Sequence, residues 1–207
     1  MTDQEKKVER YREENKHARK GQIVFTGSSL MEMFPIQKLL DEKGDPTVIY
    51  NRGVGGFLSD DLLKVIDVCA IDLKPSKVFM NIGTNDLSWS SIPIADLVKN
   101  YDRILTEIET NVPGVRIYLM AYYPVNPEAA SEEMRECLKI RTNEKIGVAN
   151  LEVERLARKH GQRYIDINAP LKDERGRLKA EYTLEGLHMN ESGYRAIYDG
   201  IMEYVKE

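Results

Sequence analysis

Cysteine is nearly absent from this sequence. Cys69 and Cys137 are the only two among 207 residues, too few for a disulfide framework and without the spacing of a metal-ligand motif. Three histidines, at 17, 160 and 188, leave no cluster that could hold a transition metal. A basic excess is missing too. Thirty Lys and Arg stand against 34 Asp and Glu, a net charge of −4, which is the wrong balance for neutralising nucleic-acid phosphates. No apolar stretch approaches the roughly 20 residues of a membrane-spanning helix. The N-terminal MTDQEKKVERYREENKHARK also lacks the apolar run of a secretory signal. Low-complexity tracts, internal repeats and Pro/Gly-rich linkers do not occur. These absences predict a reduced, cytoplasmic chain without a nucleic-acid partner, a membrane span, a metal or a cofactor.

What is present can build a core. Hydrophobic residues make up 42% of the chain and charged residues 31%, too apolar for a disordered polymer. The length fits one domain, 1–207. Residues 1–20 are mostly Glu, Lys and Arg, with Val8 and Tyr11 as thin apolar contacts. They predict an exposed, weakly anchored N-terminal helix, a candidate surface for a homo-oligomer, ahead of a core at 21–207.

The core alternates in a regular way. Short β-branched or apolar runs occur at Ile23–Phe25, Val48–Tyr50, Val78–Met80, Val115–Met120 and Tyr164–Ile165, each followed by a helix-like segment. Leu62, Leu63, Val65, Ile66 and Cys69 predict a helix over 60–70. Leu97, Val98, Tyr101, Ile104, Leu105 and Ile108 repeat every 3.6 residues, as do Ile146, Ala149, Val153, Leu156 and Ala157 up to Gly161. Asn190 predicts the cap of a last helix over 191–205. Strand and helix alternating about five times predict an α/β protein with a mostly parallel sheet and helices on both faces. The stretch 124–141 opens on prolines and turns helical, so a flap or an inserted helix is expected there. The charged EEMRECLKIRTNEK reads as a solvated helix face.

Ligands of such sheets bind beyond the carboxyl ends of the strands, so the residues following each strand matter most. Strand one is followed by Gly27-Ser28-Ser29, strand two by a loop holding Gly53, Gly55 and Gly56, and strand three by Gly83-Thr84-Asn85-Asp86. Glu185-Gly186-Leu187-His188 lies just before the last helix. These residue types suit acyl transfer. A serine hydroxyl needs a base to take its proton, and a carboxylate conventionally orients that base. A developing oxyanion needs preorganised N–H donors. Ser29 is the candidate nucleophile and, at a helix start, a backbone donor; Gly56 and the Asn85 amide are the other donors; His188 is the base and Glu185 its orienter.

Each residue also has an ordinary reading. Ser29 could be a helix N-cap, Asn85 an Asx-turn residue with Asp86 as a substitute, Glu185 a solvated carboxylate, and Gly53 and Gly55 the makers of a tight turn. His17 and His160 read as structural, the latter at a helix end. Trp89, Tyr122, Tyr123, Pro124 and Phe57 either line a pocket or plug the sheet end. Leu58 stands where G-x-G-x-x-G requires its last glycine, which disfavours a dinucleotide site.

The four blocks FTGSSL, NRGVGGFLSDD, NIGTNDL and TLEGLHMNESGY, in this order, resemble those of the SGNH (GDSL) esterase/acylhydrolase superfamily across residues 21–205. The resemblance implies a flavodoxin-like three-layer α/β/α sandwich with sheet order 2-1-3-4-5. It also implies Ser29 as nucleophile, Gly56 and Asn85 as oxyanion donors and His188 as base. Ser28 replaces the usual Asp of the first block, and Glu185 stands where the family usually has Asp, so either a Ser-His-Glu triad or a dyad is compatible. Members hydrolyse simple esters, acetylated sugars, lysophospholipids and thioesters. The lack of a lid-sized insertion points to short acyl chains, such as acetyl on sugars or other small alcohols. A non-catalytic ligand-binding module on the same scaffold is the alternative.

Overall fold

In the computed structural model, which describes residues 1–207, fourteen helices and strands follow one another along the chain. They are α1 Asp3–His17, β1 Ile23–Gly27, α2 Ser29–Glu32, α3 Ile36–Lys43, β2 Ile49–Asn51, α4 Ser59–Lys64, α5 Ile66–Cys69 and β3 Lys77–Asn81. Then come α6 Ile94–Asn111, β4 Arg116–Met120, α7 Arg135–Ile140, α8 Asn143–Lys159, β5 Arg163–Ile165 and α9 Glu191–Lys206. Every strand pair is parallel and the order is β2-β1-β3-β4-β5. All five residues of β1 and of β3 are buried, which is why Ile23–Phe25 and Val78–Met80 run apolar without alternation. No helix is long and apolar enough to cross a membrane.

The period of two divides each central strand between two cores. Val78, Met80, Ile117 and Leu119 pack with residues of α4, α5, α6 and α8. Phe25, Phe79, Tyr118 and Met120 pack with those of α3 and α9 on the opposite face. Register sets Phe25 beside Phe79 and Phe79 beside Tyr118, so their rings form a file with centroids 5.2 and 4.5 Å apart. Each such pair contributes about 0.5–1.5 kcal/mol beyond its burial.

Two local expectations change. The predicted helix over 60–70 is broken at Val65 (φ −129°, ψ 22°) into α4 and α5. In one continuous helix Val68 would sit about 200° around from Ile66 and face solvent; the break lets Ile66, Val68 and Cys69 all bury. The N-terminal helix is not weakly anchored. Val8, Tyr11 and Asn15 are buried, the Tyr11 hydroxyl donates to Gly53 O at 2.8 Å, and Asn15 Nδ2 donates to Val68 O at 2.8 Å. Polar arms, invisible to a search for apolar periodicity, hold this helix to the loop after β2 and to α5.

His160, the C-cap of α8, ties that helix to α6. Its Nε2 lies 2.7 Å from Asp102 Oδ1 and its Nδ1 2.9 Å from Glu109 Oε2. Burial alone would lower its pKa, but hydrogen bonds to the two carboxylates outweigh burial and raise it above the usual 6.5. A base with a raised folded pKa stabilises fully below its unfolded pKa and loses that contribution as pH rises through the folded one. Thermal stability should therefore fall as pH climbs upward from about 6.5. In His160→Gln that decline should flatten, with about 1 kcal/mol lost at pH 6. Parallel melts of both proteins from pH 5.5 to 8.5 check this, and equal slopes would remove His160 as the cause.

Candidate active site

The chain leaves β1 at Gly27 and turns at once into α2, with Ser28 extended at the N-cap and Ser29 as the first helical residue. Ser29 is therefore not the cap. Its Oγ lies 3.0 Å from His188 Nε2, across 159 residues of sequence. The other ring nitrogen, Nδ1, bonds the Glu185 carboxylate, which also accepts the His188 backbone N–H at 3.1 Å on Oε2. A proton on Nδ1 directed at the carboxylate leaves the Nε2 lone pair facing the hydroxyl. The loop that carries Glu185 and His188 is tight. Thr183 Oγ1 accepts from Gly186 N at 2.8 Å and donates to His188 O at 2.9 Å. Gly186 has φ +94°, and a Cβ there would meet Asn126 O at 2.6 Å.

Donors converge from two further loops. Neither Ser29 N–H nor Gly56 N–H has a partner in the protein. The first is an orphan of a helix N-terminus, where the peptide dipoles favour negative charge. Gly56 has φ +79°, the left-handed region that favours glycine. The peptide carrying its N–H is clamped, because Gln4 Nε2 donates to Gly55 O at 2.8 Å. One residue earlier, Gly55 N donates to Glu32 Oε2 at 2.6 Å, and Glu32 is ion-paired with Lys7. Gly53 serves close approach rather than a special turn: a Cβ there would strike the Glu32 backbone of α2.

Asn85 and Asp86 divide their work. Asp86 is buried and accepts the Ser59 backbone N–H at 3.0 Å together with the Ser59 hydroxyl. It thus supplies the cap that Leu58 cannot give α4. Burial raises its pKa despite those bonds. Asn85 Nδ2 donates to Phe57 O at 3.0 Å, and its Oδ1 accepts from Arg141 Nη2 at 2.8 Å. Arg141 is 3% exposed and also donates from Nε to Ser88 Oγ at 2.7 Å.

Gly56, Asn85 and His188 line one cleft of about 570 Å³, walled by Leu58, Trp89, Met134, Cys137, Ile140 and Leu187 and reached by Gln4 and Arg141. Ser29 meets it through the bond to His188. Trp89 is 58% exposed at this cleft, whereas Tyr122, Tyr123 and Phe57 are buried and do not line it. The 124–141 segment forms a wall of the cleft through α7. The charged residues Glu132, Glu133, Arg135, Glu136 and Lys139 form the exposed face that the sequence predicts, while Met134, Cys137, Leu138 and Arg141 recur at i, i+3, i+4 and i+7 and turn inward. Arg141 was detectable from that stripe; Gln4, Lys7 and Glu32 carried no comparable signal.

Comparisons with known proteins agree with this fold. The family model described as GDSL-like Lipase/Acylhydrolase family matches residues 34–196, a span holding Gly56, Asn85, Glu185 and His188 and beginning just after Ser29. A Streptococcus pneumonia chain named for platelet activating factor superposes with a TM-score of 0.87 at 32% identity, over 98% of this chain and 92% of that one. A GDSL-like lipase from Bacteroides thetaiotaomicron VPI-5482 shares the fold, with a TM-score of 0.79 at 22% identity over 96% of this chain and 97% of the other. The N-acylneuraminate cytidylyltransferase of Escherichia coli O18:K1:H7 is 25% identical over 186 residues, or 89% of this chain. The chain spans only 40% of the length of that curated relative.

Proposed function

The chain belongs to the GDSL-like Lipase/Acylhydrolase family, and on that premise we propose that it is a serine esterase cleaving carboxylic esters through an acyl-serine intermediate. His188 Nε2 takes the Ser29 proton as Oγ attacks the ester carbonyl. The oxyanion is met by the N–H groups of Ser29 and Gly56 and by Asn85 Nδ2. Glu185 holds the Nδ1 proton and stabilises the imidazolium. His188 then protonates the departing alcohol. Water, activated by the same imidazole, attacks the acyl-serine and releases the acid. Residues 1–207 work as one unit in this reading, since α1 itself holds the glycine loop. The free thiols of Cys69 and Cys137 fit a reducing compartment such as the cytoplasm.

The observation that carries the reading is the 3.0 Å contact between Ser29 Oγ and His188 Nε2 with a carboxylate behind the ring. A fluorophosphonate reacts only with an activated serine. Peptide mass spectrometry should find the adduct on Ser29 in wild type and none in His188→Ala. A non-catalytic binding module would stay unlabelled. Glu185→Gln keeps the size and removes the charge, so kcat should fall at least about tenfold, towards the 10⁴-fold that loss of tautomer control can reach. Unchanged kcat would favour a dyad.

Short acyl chains suit the half-open cleft, and acetyl groups on sugars are the preferred substrates. The name of the curated relative denotes action on N-acylneuraminate, which supports a carbohydrate substrate. Rates on p-nitrophenyl esters from C2 to C12, set beside acetylated sugars, separate this reading from a lysophospholipase or thioesterase.

A further inference from the structure

Three cations are buried to less than a tenth exposure: Arg52, Lys77 and Arg141. The first two have their charge answered. Arg52 has Glu14 at 3.1 Å and lies over the rings of Tyr11 and Tyr50. Lys77 donates to the Tyr204 and Val205 carbonyls at the C-terminal end of α9, where the helix dipole favours a cation. Arg141 has no such answer. Its two partners, Ser88 Oγ and Asn85 Oδ1, are neutral, and it forms no ion pair. The acids that reach it electrostatically, Asp86 and Glu185, are committed to Ser59 and to His188. Burial depresses the guanidinium pKa to about 10. A buried charge without its counter-ion is costly, and this one sits in the wall of the cleft.

One nitrogen of that guanidinium remains available. Nε and Nη2 are bonded, which fixes the plane of the group. Nη1 has no protein partner, yet it is not among the polar atoms sealed inside the protein, and Arg141 is one of the residues that line the cleft. Lys145, bonded to Leu87 O at 2.8 Å, adds a second positive charge nearby. Two acids line the same cleft, Asp61 and Glu136. Their side chains are 39% and 80% exposed and lie beside Lys64 and Lys139, so solvent and these lysines screen them.

We propose that Arg141 Nη1 recognises a carboxylate on the alcohol half of the substrate, so that the preferred ester is an O-acylated hydroxy acid or acidic sugar. The proposal rests on the esterase reading above. Because Nη2 of the same group holds Asn85, a carboxylate on Nη1 lies one side chain away from the oxyanion donor. That distance suits an acid only a few bonds from the scissile ester.

The test uses O-acetyl hydroxy acids paired with their primary amides, the carboxylate standing two to five bonds from the ester oxygen. Wild type, Arg141→Met and Arg141→Lys are compared on each pair and on p-nitrophenyl acetate. Wild type should favour at least one acid over its amide by about tenfold or more in kcat/KM, chiefly through KM. In Arg141→Met the ratio should fall to about one. Weakening of Asn85 in that variant slows acid and amide alike and cancels in the ratio. Arg141→Lys, which keeps charge but loses the planar fork, should fall in between and serves if the methionine variant does not fold. A wild-type ratio near one across the panel, or a ratio retained in Arg141→Met, overturns the proposal. If wild type turns over no ester, the esterase reading itself has failed. Calorimetry of Ser29→Ala protein with the free hydroxy acids and hydroxyamides then decides separately: acid-selective binding lost on adding Arg141→Met supports the site, and absence of such binding overturns it.

Discussion

Replacing Ser29 by alanine should cut p-nitrophenyl acetate turnover by about 10⁴-fold or more, down to what the oxyanion donors and binding sustain alone. The fold should survive. The substitution removes one half-buried hydroxyl and its bond to His188, whose net contribution is about 1 kcal/mol, so the melting temperature should move by only a few degrees. His188→Ala should fall to a similar level, since a nucleophile without its base is nearly as inert as no nucleophile. The double variant should be hardly slower than either single one, because the pair acts as a unit. Turnover and circular-dichroism melts on the same preparations provide the measurement. Undiminished turnover in Ser29→Ala would discard the assignment, whereas losses that multiply in the double variant would show that the two side chains act apart.

How much of this was legible in the sequence depended on whether the physics was local. The strands were visible because burial forces short runs of consecutive apolar residues, Ile23–Phe25 in β1 and Val78–Met80 in β3, although Thr26, Lys77 and Asn81 are buried beside them. Ser29, Gly56, Asn85, Glu185 and His188 stood out because each lies in a short block just after a strand or before the last helix. The break at Val65 was hidden, since Leu62, Ile66 and Cys69 satisfy a helical period by themselves and only the burial of Val68 betrays the kink. Gln4 and Lys7 could not be found at all. Their partners, Gly55 and Glu32, lie 51 and 25 residues away, and nothing in a charged N-terminal stretch says which loop it will cover. Arg141 falls between these cases. Mixed charge in its neighbourhood suggested solvent, while its place in the 134–141 stripe pointed inward, and packing of Leu138 into the core decided for the stripe.

Asn85 should prove the most informative single donor, because its orientation is dictated by a neighbour that can only donate. A guanidinium has no acceptor, so the atom of Asn85 facing Arg141 Nη2 at 2.8 Å must be the oxygen. The amide nitrogen is thereby turned towards Phe57 O at 3.0 Å, which takes one of its two hydrogens and leaves the other for substrate. Asn85→Ala should lower kcat by about 100- to 1,000-fold, the usual effect of losing one oxyanion donor. KM should change little, since that bond strengthens only as charge develops on the carbonyl oxygen. Asn85→Asp sharpens the test. Its carboxylate would gain Arg141 as an ion-pair partner but lose the donation to Phe57 O, so stability should change little, while the missing N–H and the added negative charge should depress kcat at least as far as alanine does. A large loss of activity without a matching loss of stability is not what a merely structural asparagine would give. If Asn85→Ala stays within twofold of wild type, Asn85 does not belong to the oxyanion site, and the N–H groups of Ser29 and Gly56 must carry the stabilisation by themselves.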